Sequence, residues 1–163
     1  MKNIIKILDA LSLEGFKAAK EYAATKQTQT YVQETDDGLF FTTPFAAYFC
    51  WNINDYNFFG ATSPYKITKF PHNLNSCPYE LHYIESVIKC KNTFIKLAFN
   101  EDTEKVVYIN NKVIPKALKS VITDKYTHFY AAKMESTSLI LIYQQPYVLA
   151  YVMPTKMKKD STK

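Results

Sequence analysis

The side chains with reactive or metal-ligating chemistry are few. The chain has three cysteines, Cys50, Cys77 and Cys90, and three histidines, His72, His82 and His128. His72, Cys77, His82 and Cys90 fall in one stretch and are zinc-ligand types. Structural zinc sites take their ligands in close pairs, and these four are spread singly, so they predict scattered thiols and imidazoles rather than a metal centre. Asp36 and Asp37 form a carboxylate pair, but Gly38 follows them and an Asp-Asp-Gly run is explained by a hairpin turn. A Gly-rich phosphate loop, a nucleophile elbow and a His-x-x-x-His pair are all missing. The reading is of a protein with no catalytic residues, no cofactor and no metal.

Charge is the chemistry the chain does carry. All 20 basic residues are lysine, and the formal net charge is +5. Without a guanidinium there is no bidentate fork for guanine, phosphate or carboxylate, which disfavours sequence-specific reading of DNA. Attraction to a phosphate backbone needs only positive charge, and lysine supplies it. A second feature is the aromatic run of Trp51, Tyr56, Phe58, Phe59, Tyr65, Phe70, Tyr79 and Tyr83. Such a set serves as core under a long loop, as a stacking platform for single-stranded nucleic acid, or as a protein-binding surface.

The elements that must position these groups follow from pattern. With 163 residues, 47% of them hydrophobic and 15% aromatic, the chain predicts one domain over 1–155 with a substantial core, followed by a Lys-rich tail over 156–163. Ile4, Ile7, Leu8 and Leu11 have helical spacing over 2–11, and Ser12 is a candidate N-cap for a second helical segment over 13–26. "TYVQET", Asp36-Asp37-Gly38 and "LFFTT" predict a hairpin, Pro44 a strand end, and "FAAYFCW" a third strand. Residues 52–79 read as a long connection, and "YELHYIESVIKCK" fits either helix or strand. "NTFIKLAFN" and "EKVVYIN" predict a second hairpin. Pro115 opens a short helix with Ala117, Leu118, Val121 and Ile122 on its apolar face, and three strands end the chain. Lys6 and Asp9 interrupt the apolar N-terminal run, and no stretch approaches the ~20 apolar residues of a membrane span. The expectation is a cytoplasmic protein with free thiols and no membrane partner.

Helix-then-strands thus occurs twice. Residues 114–156, "IPKALKSVITDKYTHFYAAKMESTSLILIYQQPYVLAYVMPTK", and residues 14–43, "EGFKAAKEYAATKQTQTYVQETDDGLFFTT", resemble one domain of the bacterial DNA sliding clamp, the β subunit of the replicative polymerase. The resemblance rests on the doubled order and on a last strand that runs into Met153-Pro154. It implies an α+β clamp-like domain, two helices packed on a mainly antiparallel sheet, with residues 52–90 as a possible insertion. In that family the helices face DNA, and the matching positions here are Lys17, Lys20, Lys116 and Lys119. The family's C-terminal residues help form an apolar pocket for partner proteins, and the matching positions are Val152, Met153 and Pro154. This chain has room for one such domain where a bacterial clamp carries three, reads as helix where the family opens with a strand, and has Thr43-Pro44 after its first hairpin.

The function expected from this is a non-enzymatic clamp-like module in DNA replication or processing. It would tether to the DNA backbone or dock replication or host proteins, and assemble as a homo-oligomer. The alternative is a small protein-binding inhibitor or adaptor, of the kind phages and other mobile elements encode, with no DNA contact.

Overall fold

Ile4, Ile7, Leu8 and Leu11 form the buried stripe of a single helix, α1 (Ile4–Lys26), in the computed structural model, which describes residues 4–26, 31–35, 38–43, 45–51 and 74–157. Leu8 and Leu11 are fully buried and Ile7 nearly so. The stripe continues without a break through Ser12 and Gly15, which are buried on the same face. The expected break at Ser12 is therefore not there. Ser12 does not cap a helix, because its hydroxyl oxygen instead accepts the Trp51 backbone N–H at 3.1 Å, and its carbonyl accepts the Cys50 thiol at 3.5 Å. A serine inside a helix is tolerated when its hydroxyl has such a partner. No helix among the described residues is long and apolar enough to cross a membrane.

The strands are β1 (Tyr31–Thr35), β2 (Gly38–Thr42), β3 (Ala46–Cys50), β4 (Tyr79–Lys89), β5 (Asn92–Phe99), β6 (Val106–Asn110), β7 (His128–Ala131), β8 (Ile140–Gln144) and β9 (Tyr147–Val152). The helix α2 (Lys116–Lys119) is one turn long, shorter than the predicted apolar face, and Val121 and Ile122 follow it in turns while remaining buried. The segment that fitted either helix or strand is β4. Its alternating register with β5, from Leu81 opposite Phe99 to Lys89 opposite Asn92, settles it as strand. The turn at Asp36-Asp37, Pro44, the aromatics between Tyr56 and Phe70, and His72 lie outside the described residues.

The nine strands among the described residues join one antiparallel sheet in the order β1-β2-β3-β9-β8-β7-β4-β5-β6. The doubled order seen in sequence is doubled in space. The unit α1-β1-β2-β3 meets the unit α2-β7-β8-β9 through its last strand, with Ala46 opposite Val152 and Tyr48 opposite Ala150. One row of side chains runs across seven strands: Phe41, Tyr48, Ala150, Ile142, Phe129, Leu81 and Phe99. All but half-buried Tyr48 are buried, and each of the large apolar ones stabilises the fold by about 1.5–3 kcal/mol relative to exposure. α1 lies on this face. A Cβ on Gly15 would stand 2.6 Å from the Tyr48 Cβ and 3.1 Å from the Cys50 Sγ, so only glycine lets the helix backbone approach so closely.

The sheet is rolled. Thr155 donates its N–H to the Tyr108 carbonyl at 2.7 Å, so the chain just beyond β9 touches β6. Five strand spacings separate β9 from β6, about 24 Å in a flat sheet. The three residues from Val152 to Thr155 reach about 10 Å at most. The β9-to-β6 half must curl for both to hold. On the opposite face from Gly15, an aromatic cluster covers the sheet, with Phe40 5.4 Å from Phe49 and 5.6 Å from Tyr151, and Phe49 6.2 Å from Tyr147. Trp51 stands 6.3 Å from Tyr147 and half-buried Tyr79 packs against the core, so these members of the predicted aromatic run join core packing, while Tyr83 is 37% exposed.

Candidate functional site

The two helices meet edge to end. Glu14 of α1 points its carboxylate at the start of α2, accepting the Lys116 N–H at 2.6 Å and the Ala117 N–H at 2.8 Å. The first N–H groups of a helix have no partner inside it, and a carboxylate there is favoured by both hydrogen bonding and the helix dipole. Pro115, which lacks an N–H, sits just before.

Around this junction lies an open cleft of about 630 Å³. Lys17 and Glu21 of α1, Lys116 and Lys119 of α2, and Lys112 from the turn after β6 line it, with exposed Leu13 beside them and half-buried Tyr48 and buried Ile114 beneath. Three of the four lysines singled out in sequence are thus brought to one place from two distant segments. Lys20 lies on the α1 backbone three residues beyond Lys17, and its side chain is outside the described residues. Lys17, Lys112, Lys116 and Lys119 have no ion-pair partner among the described residues. Lys116 and Lys119 are exposed, as are Lys17 and Lys112. Tyr48 at the floor has its hydroxyl pKa pushed up to about 12 by burial and, to a lesser degree, by the Glu14 charge. It is a neutral wall, not a titrating group.

Sequence reasoning missed Lys112, Glu14 and Tyr48. Lys112 had a weak signal: Asn110 and Asn111 mark a turn, and the Asn110 Oδ1 accepts the Lys112 N–H at 2.9 Å, which fixes the lysine at the mouth of the cleft. Glu14 had none, because its partners are more than a hundred residues away in sequence.

The second predicted site divides. Val152 is fully buried between β3 and β8, paired with Ala46 and Ile140, and belongs to the core. Met153 is 44% exposed and donates its N–H to the Phe45 carbonyl at 2.8 Å. Phe45 is 61% exposed, so these two form an apolar pair at the end of β9, with Pro154 half-buried beside them in sequence.

The reactive side chains do not converge. Cys50 and Cys77 are buried, and burial pushes their thiol pKa values up to about 12 and about 11, so neither is a thiolate near neutral pH. Cys90 is exposed at the β4–β5 turn. His82 on β4 is exposed and His128 on β7 is half-buried, and each has its own neighbour: the Asn100 Oδ1 is 2.7 Å from His82 Nδ1 and the Glu80 Oε1 is 3.2 Å from His128 Nδ1. Among the described residues no group of three or more such side chains is placed to hold a metal ion.

No protein-family model, curated protein or solved structure matches the chain.

Proposed function

We propose that this protein is a non-enzymatic, clamp-like α+β module that holds the backbone of DNA through the lysine cleft between α1 and α2. The observation that carries the reading is the meeting of Lys17 with Lys112, Lys116 and Lys119 in one cleft, with Glu14 already committed to the α2 backbone. Lysine is a mobile point charge with three rotating donors, suited to loose hold on phosphates rather than to reading bases. The two helix-led units meeting strand to strand, β3 on β9, support the clamp-like label. A clamp function in replication or processing and a cytoplasmic setting accompany this reading.

The test is binding to duplex DNA at low salt, parent beside the variant Lys17→Glu, Lys112→Glu, Lys116→Glu and Lys119→Glu. The reading expects weak, sequence-independent binding by the parent and none by the variant. A parent that does not bind, or a variant that binds as well, sinks it.

A protein-binding inhibitor or adaptor of the kind mobile elements encode is the second reading. It is favoured by the exposed pair Phe45 and Met153, since large side chains left 61% and 44% exposed next to one another are suited to an apolar partner. Host or replication proteins would be its partners.

A further inference from the structure

The cleft between α1 and α2 is not lined by lysine alone. Leu13, Glu14, Lys17 and Glu21 follow the three-and-four spacing of one helix face, so α1 presents apolar, anionic and cationic groups to the same space. Leu13 is 49% exposed there, with half-buried Tyr48 and buried Ile114 beneath. Glu14 lies at the junction of the helices, where its oxygens accept the Lys116 and Ala117 N–H groups, and Glu21 is two turns further along α1.

These linings fit different parts of a ligand. A phosphate sunk into the cleft would face the carboxylates of Glu14 and Glu21, and like charges repel. The phosphates therefore belong at the lysines, whose long side chains carry their charge outward to the rim. The space within suits a neutral group with apolar faces, and its volume of about 630 Å³ is that of a site enclosing a small molecule. A nucleotide unit joins both parts, a charged phosphate and a flat, neutral base. In duplex DNA the bases are paired and stacked inside a stiff rod that presents phosphate and sugar, so a duplex reaches only the rim. Four lysines exceed what the phosphate of one free nucleotide neutralises, which favours successive phosphates of a strand.

We infer that the cleft takes single-stranded nucleic acid in preference to duplex, with phosphates on Lys17, Lys112, Lys116 and Lys119 and an unpaired base against Leu13 and Tyr48. This rests on the reading that the lysine cleft holds a nucleic-acid backbone, and it adds which form of nucleic acid fills it. The base is held by its face, which every base has, so the hold stays insensitive to sequence. Duplex remains a weaker ligand, held at the rim by charge.

The test is fluorescence anisotropy with the full chain at low salt. The ligands are a labelled strand of about 16 nucleotides, its duplex with the complementary strand, and an abasic strand of the same length. The duplex has more phosphates and packs them more densely, so charge alone favours it. The parent is nevertheless expected to bind the strand about tenfold more tightly than the duplex, and the abasic strand no better than the duplex. Leu13→Gln is expected to weaken strand binding about fivefold, and Leu13→Met, which stays apolar, to retain it, both with a far-ultraviolet spectrum like the parent's. A deoxynucleoside monophosphate at equal nucleotide concentration is expected not to displace the strand. Duplex bound as tightly as the strand, an abasic strand bound like the natural one, a Leu13→Gln variant that binds like the parent, or displacement by the free nucleotide overturns this inference alone. A parent that binds neither strand nor duplex removes the lysine-cleft reading and the inference with it.

Discussion

Glu14 and Lys116 are 102 residues apart in sequence, yet the carboxylate of one accepts the backbone N–H of the other at 2.6 Å. α2 is a single turn, too short to persist alone in water. Its start is held by α1, and its direction, with that of Lys116 and Lys119, depends on a side chain in the other half of the chain.

Glu14→Ala is therefore expected to destabilise the fold by about 1–2 kcal/mol, the cost of losing a helix cap, and Glu14→Gln by less because one oxygen remains. Urea denaturation measures both. A change of less than about 0.5 kcal/mol for alanine would show that α2 is held by Leu118 and its apolar neighbours alone.

Gly15→Ala sets propensity against packing. Alanine favours the helix by about 1 kcal/mol, while forcing a methyl into a packed contact costs about 1–3 kcal/mol. A Cβ at 2.6 Å from the Tyr48 Cβ, which is fixed to the β3 backbone, puts packing ahead. The expected net loss is about 1 kcal/mol, seen as a lower urea midpoint. A higher midpoint would show that the helix is free to lift from the sheet.

The salt dependence of DNA binding should count the lysines of the cleft. Each phosphate neutralised contributes about 0.9 to the slope of log K against log salt on duplex DNA. Lys112→Ala is expected to lower that slope by about one without altering the insensitivity to sequence, while Lys96→Ala, which pairs with Glu85 on the β4–β5 hairpin, should leave it unchanged. Equal effects of the two would mean diffuse charge rather than a cleft.

Alkaline pH should weaken the protein. The folded state holds Cys50 and Tyr48 protonated up to about pH 12 and Cys77 up to about 11, against ordinary values of 9.0, 10.0 and 9.0. The folded chain then binds more protons than the unfolded one, so stability falls as pH rises. This contribution is fully present below about pH 9 and is lost between about 9 and 12. Urea midpoints from pH 7 to 11 should show a decline that starts near 9. A flat profile would contradict the burial of these groups. At neutral pH a thiol reagent should modify Cys90 at once, and Cys50 and Cys77 only on unfolding.

Most of the strand order was legible because alternation and turn residues are local signals. The Asp-Asp-Gly hairpin fell where β1 and β2 pair, and the last three strands are where the apolar runs put them. Three things were not legible. Ser12 has the residue type of an N-cap, and only its contact with Trp51, from the far end of β3, shows why the helix runs through it. β9 is apolar on both faces, which fits an edge awaiting a partner as well as a strand in mid-sheet, and the decision rests on its pairing with β3. In the cleft, Lys17, Lys116 and Lys119 stood out by helical position, whereas Lys112 and Glu14 gain their roles only once the two helices touch.

The pairing of Ala46 with Val152 also sets an order of events. β3 belongs to the first third of the chain and its neighbour β9 to the last, so as the polypeptide emerges from the ribosome β3 waits with one edge bare for more than half of synthesis. Contacts so distant along the chain form slowly, because a long loop must close before they gain anything. Until Thr155 reaches Tyr108 the rolled half is equally unfinished. A nascent chain of this protein is therefore exposed to mispairing over a long interval, and its yield of native molecules should respond to translation speed and to chaperones that shield bare strands more strongly than its final stability would indicate.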